Sequence, residues 1–169
     1  SAIGLTDNND VKFGIPKFLG HVTNLEAREK IAIWGINRPR KEDEVIIFTP
    51  DYGWRTKTDS SGLELRVENN IVTEIAIGNS EIPRNGYVIS FHGWTKNYAN
   101  SLPPGAKIDV NMRLSEGWEN YNQVITGGPR LIENGNIVTA DSIRKENFRH
   151  SLLLQNARTA VGLTNKKKL

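Results

Sequence analysis

The chain has 169 residues, with 22 Lys and Arg against 19 Asp and Glu, 15 Gly, seven Pro and no Cys. That length carries one ordinary domain with a real core, or two very small ones, and the lack of any thiol excludes disulfide scaffolds, thiolate zinc sites and cysteine nucleophiles. The formal charge of +3 comes from Lys166, Lys167 and Lys168, so the rest is neutral and lacks the clustered cations that a nucleic-acid partner demands.

In chain order, Ser1 to Thr6 (Ser-Ala-Ile-Gly-Leu-Thr) opens a strand, Asp7 to Asp10 turns it, and Val11 to Phe13 returns. The Asp7-Asn8-Asn9-Asp10 run resembles a calcium loop only superficially, because Val11, Lys12 and Phe18 stand where an oxygen ligand, Gly and Glu are required. Val45 to Phe48 and Tyr87 to Phe91 are short β-branched and aromatic strands. Leu63, Leu65 and Val67 alternate with Glu64 and Arg66, which predicts a half-buried strand. After the turn Glu68-Asn69-Asn70, a second alternating strand follows with Ile71, Thr73, Ile75 and Ile77 on one face, so residues 63–77 read as a hairpin.

Arg84-Asn85-Gly86 and Pro103-Pro104-Gly105 are turns. Thr95 is positioned to cap a short helix running to Leu102, and Asp141 or Ser142 to cap another running to Arg149. Between them, Ile108, Val110, Met112 and Leu114 make the clearest one-sided strand. The expected class is α+β, mostly β, with antiparallel strands and hairpins and one or two short helices. Apolar runs reach only four or five residues, too short for a transmembrane helix or a signal-peptide core. If the protein is exported, its targeting segment lies outside this sequence.

Residues 159–164 are Thr-Ala-Val-Gly-Leu-Thr, a near copy of residues 1–6, again followed by a polar run and an apolar residue, Leu169. One hairpin is used twice, and the second copy ends after one residue of its return strand. The expectation is a segment of a longer protein, with residues 1–15 as a first edge hairpin, 16–118 as an inserted β-rich lobe, and 119–169 as a Gly-Gly-Pro strand, a helix and the start of a second hairpin. Frayed termini are the plainer alternative.

His21, His92 and His150 show no metal-ligand spacing, and no cofactor motif is present. Gly127 and Gly128 follow the apolar pair Val124-Ile125; they either let a ligand approach the backbone or mark a corner in a strand. Arg158 opens the second repeat, where its fork could meet a phosphate or carboxylate or form a surface ion pair. His92, at a strand end beside Trp94, is either an acid or base near neutral pH or a packed strand-end histidine. Each of Trp34, Trp54, Trp94 and Trp118 neighbours a glycine. Such indoles stack on sugar faces when exposed and plug strand ends when buried, and the sequence leaves both open.

Taken together, Val124-Ile125-Thr126-Gly127-Gly128-Pro129-Arg130-Leu131-Ile132-Glu133-Asn134-Gly135 and Ala157-Arg158-Thr159-Ala160-Val161-Gly162 resemble the paired signature of the phosphodiester glycosidase family. Ile36 to Arg40, Phe48 to Gly53 and Ile82 to Gly93 resemble its longer bacterial cell-envelope members, relatives of the mannose 6-phosphate uncovering enzyme, so the likeness spans nearly the whole chain. It implies hydrolysis of a sugar 1-phosphodiester of the N-acetylglucosamine type, a glycan partner, and a place outside the cell or in its envelope. On the matching positions Arg158 becomes the phosphate clamp, Gly127 and Gly128 line the pocket with backbone, and Thr159 adds a hydroxyl. The family's upstream asparagine segment and downstream acidic segments are absent, which implies a catalytically incomplete piece whose acids lie outside this chain.

Two other readings compete: a non-catalytic carbohydrate or cell-wall binding lobe that uses the tryptophans, and an assembly module in which unpaired hairpin edges drive self-association.

Overall fold

The computed structural model describes residues 1–146 and 159–164. The first hairpin pairs β1 (Ala2–Leu5) with β2 (Val11–Gly14). Its turn closes through Thr6 N–H on the Asp10 carbonyl at 3.1 Å, with Asn9 in the left-handed region. There follow β3 (Phe18–Asn24), β4 (Lys30–Ile33), β5 (Gly35–Ile36), β6 (Val45–Phe48), β7 (Leu63–Glu68), β8 (Ile71–Ala76), β9 (Gly86–Phe91) and the short helix α1 (Lys96–Asn100). The chain then runs through β10 (Ile108–Leu114), β11 (Gln123–Thr126), the two-residue pair β12 (Ile132–Glu133) and β13 (Asn136–Ile137), and α2 (Thr139–Lys145). This is the expected mostly β class with antiparallel hairpins and short helices. Among the described residues, no helix is long and apolar enough to cross a membrane.

The chain divides into two units. One joins Ser1–Lys17 to Ser115–Leu169, and the other is the continuous stretch Phe18–Leu114. In the second unit a five-stranded sheet, ordered β5-β6-β9-β7-β8, packs with the three-stranded sheet β10-β3-β4 around one core. Val45 and Ile47 face that core with Leu65, Val67, Ile89 and Phe91, while Ile46 and Phe48 face a second cluster with Ile82 and Val88. Both faces of β6 and β9 are therefore covered, which is why β6 reads as an unbroken apolar run and β9 as one interrupted only by Ser90. In the first unit a three-stranded sheet, β11-β1-β2, carries the Gly127 loop at its end.

Several local expectations are corrected. Glu64 alternates with Leu63 and Leu65 as expected, yet it is fully buried, because polar groups of the 56–61 segment, Ser80 and Ser90 close over that face of β7. On β8 the buried residue is Val72, while Ile71 and Ile75, and Ile77 just past the strand, are exposed. A register shift opposite Arg66 and Val67 leaves Thr73 as the extra residue of a bulge, which breaks the period-two pattern. Thr95 stands at the N-cap of α1 as expected, but its hydroxyl makes no capping bond to the helix; it sits third in a preceding 3₁₀ turn, accepting from His92 N–H and donating to the His92 carbonyl.

Helix α2 begins at Thr139, ahead of Asp141 and Ser142, because Ser142 N–H bonds back to the Val138 carbonyl. Its expected extension to Arg149 lies outside the described residues, as do Lys166 to Leu169. The second repeat is not a strand: residues 159–164 are exposed and irregular.

Candidate functional site

In the first unit, Trp118 and Tyr121 lie across β1 and β2, their rings 5.4 Å apart. A Cβ at Gly4 would stand 2.8 Å from Tyr121, and one at Gly14 would stand 2.9 Å from Trp118. The two glycines thus let the aromatic pair press on the sheet. Lys12 covers the pair, 5.1 Å from the Trp118 ring, and its Nζ donates to the Gly117 carbonyl at 2.6 Å. Trp118 is a core residue here.

At the far end of the same sheet Ala2 pairs with Thr126, and the ladder extends one step further through Gly127 N–H on the Ser1 carbonyl at 3.0 Å. Behind this step lies Glu146, whose side chain is 4 % exposed. Its carboxylate accepts from the Ser1 nitrogen and, at 3.2 Å, from Arg130 N–H. A buried carboxylate that accepts from backbone N–H anchors the loop that carries Arg130. Ser1, Ile15, Pro16, Thr126, Gly127 and Glu146 line an open cleft of about 400 Å³.

Gly127 faces open space. Its φ lies outside the left-handed region, and no described atom comes within 4 Å of where a Cβ would stand. Neither backbone conformation nor packing asks for glycine there, which argues against a tight corner in the strand. Gly128 is exposed beside it and precedes Pro129 through a cis peptide bond. Thr159 belongs to the same unit and is exposed, while Arg158 lies outside the described residues.

His92 belongs to the second unit. It follows β9, its N–H donates to the Glu44 carbonyl at 3.2 Å, and its Nδ1 is buried without a partner among the described residues. Nearby, Arg40 is buried and bonds Ser90 Oγ at 2.7 Å and Asp59 Oδ1 at 2.9 Å. No group of three or more His, Asp and Glu among the described residues could hold a metal ion. The second unit also exposes three indoles, those of Trp34, Trp54 and Trp94, so none of them is a core plug.

The model of the phosphodiester glycosidase family matches residues 61–169, most of the chain. The chain belongs to this family. Among solved structures, a hypothetical protein from Synechocystis is 23% identical with a TM-score of 0.76, over 92% of this chain and 30% of that one. A putative exported protein from Burkholderia pseudomallei is 18% identical with a TM-score of 0.62, over 76% of this chain and 33% of that one. At these identities the likeness is one of fold, and the phosphodiester glycosidase segment spans about a third of either neighbour's length. No curated protein matches the chain.

Glu146 escaped the sequence reading. Its signal was a carboxylate just past the C-terminal end of a helix, where the dipole disfavours negative charge unless something else holds it.

Proposed function

We propose that this chain forms part of a hydrolase that cleaves a sugar 1-phosphodiester of the N-acetylglucosamine type, outside the cell or in its envelope. Gly127 and Gly128 present backbone to the phosphodiester, Arg158 clamps its charge and Thr159 adds a hydroxyl. Breaking the bond between the anomeric carbon and phosphate needs donors for the anion and a carboxylic acid near the sugar. Glu146 orders the Gly127 to Arg130 loop, and residues outside this chain supply the acid. Membership of the family supports the reaction class, and the exported Burkholderia neighbour supports the location.

The carrying observation is Gly127, a glycine that no described neighbour and no backbone angle requires. Substrate approach supplies the missing reason. In the whole protein, Gly127→Ala should leave the melting temperature unchanged and cut hydrolysis of an N-acetylglucosamine 1-phosphodiester at least tenfold. Arg158→Ala should abolish it. Full activity in either variant would remove that residue from the site.

A further inference from the structure

Around the start of β6 two separate Trp-Gly pairs of the second unit are anchored. Trp34 N–H donates to the Val45 carbonyl at 2.8 Å, and the Trp34 carbonyl accepts from Arg38 Nη2 at 2.9 Å. Trp94 N–H donates to Asp43 Oδ1 at 3.2 Å. The neighbouring glycines make room for these anchors: a Cβ at Gly35 would stand 2.4 Å from Arg38 Nε, and one at Gly93 would stand 1.8 Å from Asp43 Oδ1. The loop between them is braced by a two-point ion pair of Arg38 with Glu44, at 2.7 and 3.0 Å, and by Lys41 N–H on the same carboxylate at 3.0 Å. Strands β5 and β9 flank β6 on its two edges, with Trp34 just before β5 and Trp94 just after β9.

Trp34 is 56% exposed and Trp94 60%, whereas Trp118 is 4% exposed. We propose that Trp34, Trp94 and the 38–44 loop form a glycan-binding surface, with pyranose rings stacked on the indoles and sugar hydroxyls bonded to the loop. The size of the patch decides against a protein partner. Two half-exposed indoles offer roughly 300 Å², and a stable protein interface buries about 800 Å² on each side. The rim fits a neutral polyol: Lys41, Glu42 and Asp43 are exposed and of mixed sign, without the single-sign field that a polyanion needs. The bracing ion pair fixes the loop before binding, which lowers the ordering cost.

Trp54 is the internal control. It is 68% exposed, but the Arg55 guanidinium covers its ring at 5.2 Å, and it lies beyond the opposite end of β6. The surface stands apart from the reading given for the first unit, and its test uses glycans with no phosphodiester, so neither result bears on the other. Calorimetric titration of the 169-residue chain with chitotetraose, cellotetraose and soluble peptidoglycan fragments should give saturable binding to at least one. Trp34→Ala and Trp94→Ala should each weaken it about two- to tenfold, with unchanged circular dichroism, and Trp54→Ala should not. Absence of binding to all three probes would overturn the proposal, as would equal binding by the Trp34 and Trp94 variants, or a dimer that those two substitutions dissolve.

Discussion

Glu64 shows how one side chain organises the second unit. Four donors converge on its carboxyl: Thr56 Oγ1 at 3.0 Å, Thr58 Oγ1 at 2.7 Å, Ser80 N–H at 2.8 Å and Ser90 Oγ at 2.9 Å. Arg40 stands one step further, through Ser90. Removing an acceptor from such a network strands several buried donors at once. Glu64→Ala should therefore destabilise the protein by roughly 3 kcal/mol, read as a lowered urea midpoint at unchanged slope. A midpoint shift within error would show that water satisfies the donors equally well. A second carboxyl carries a pH dependence. The Arg38 hydrogen bond, against some desolvation, holds Glu44 below its ordinary value of 4.5. A carboxyl with a depressed folded pKa adds stability above its unfolded pKa and loses it as pH falls through the folded value. Acidification from neutrality should lower the wild-type midpoint more than that of Glu44→Gln, and parallel curves would deny the pair any part in stability. The sequence announced Arg66 and Glu64 as one polar face, but which of them is buried depends on residues 56–61, 80 and 90, and period-two alternation contains no such information.

At the level of elements, β7 and β8 were legible because their turn is. Asn69 and Asn70 both hold positive φ, 51° and 60°, the pair of left-handed residues that a two-residue hairpin needs. Asn69→Ala should cost about 1 kcal/mol, and Asn69→Gly should be neutral or better, as thermal melts of the two variants would reveal; equal melting temperatures would mean the turn relaxes to another type. The bulge at Thr73 was not legible, since its cause is the pairing of Val67 with Val72 and of Arg66 with Glu74, a property of two strands together. The same limit explains residues 159–164. Their sequence matches β1, but β1 is a strand because β2 and β11 pair with it on both sides, and that pairing is not written in the six residues themselves. The Gly127 loop was legible as a candidate because two glycines precede a proline; its support by Glu146 was not, because 19 residues separate the two in the chain.

For the molecule as a whole, the neutral body leaves little long-range charge repulsion to keep copies apart. The first unit adds an apolar sheet face. Ile3 lies between Ile125 and Phe13 in register across β11, β1 and β2, with Ile125 66% and Phe13 42% exposed. Trp118 and Tyr121 occupy the opposite face, over Gly4 and Gly14. Both outer strands of this sheet are edges among the described residues, β11 with Gln123 and Thr126 and β2 with Lys12 as polar residues. Lys12 is the residue that would ordinarily discourage pairing, but its ammonium is drawn over Trp118 and onto the Gly117 carbonyl, so β2 is less protected than its sequence implies. The 169-residue chain should therefore self-associate reversibly, with a weight-average mass in sedimentation equilibrium that rises with loading concentration. Ile125→Lys, which places a charge opposite Ile3, should return it to the monomer mass without changing its melting temperature. A concentration-independent monomer mass for the unmodified chain would show that the edges are already satisfied, and a dimer indifferent to Ile125→Lys would place the contact elsewhere than on this face.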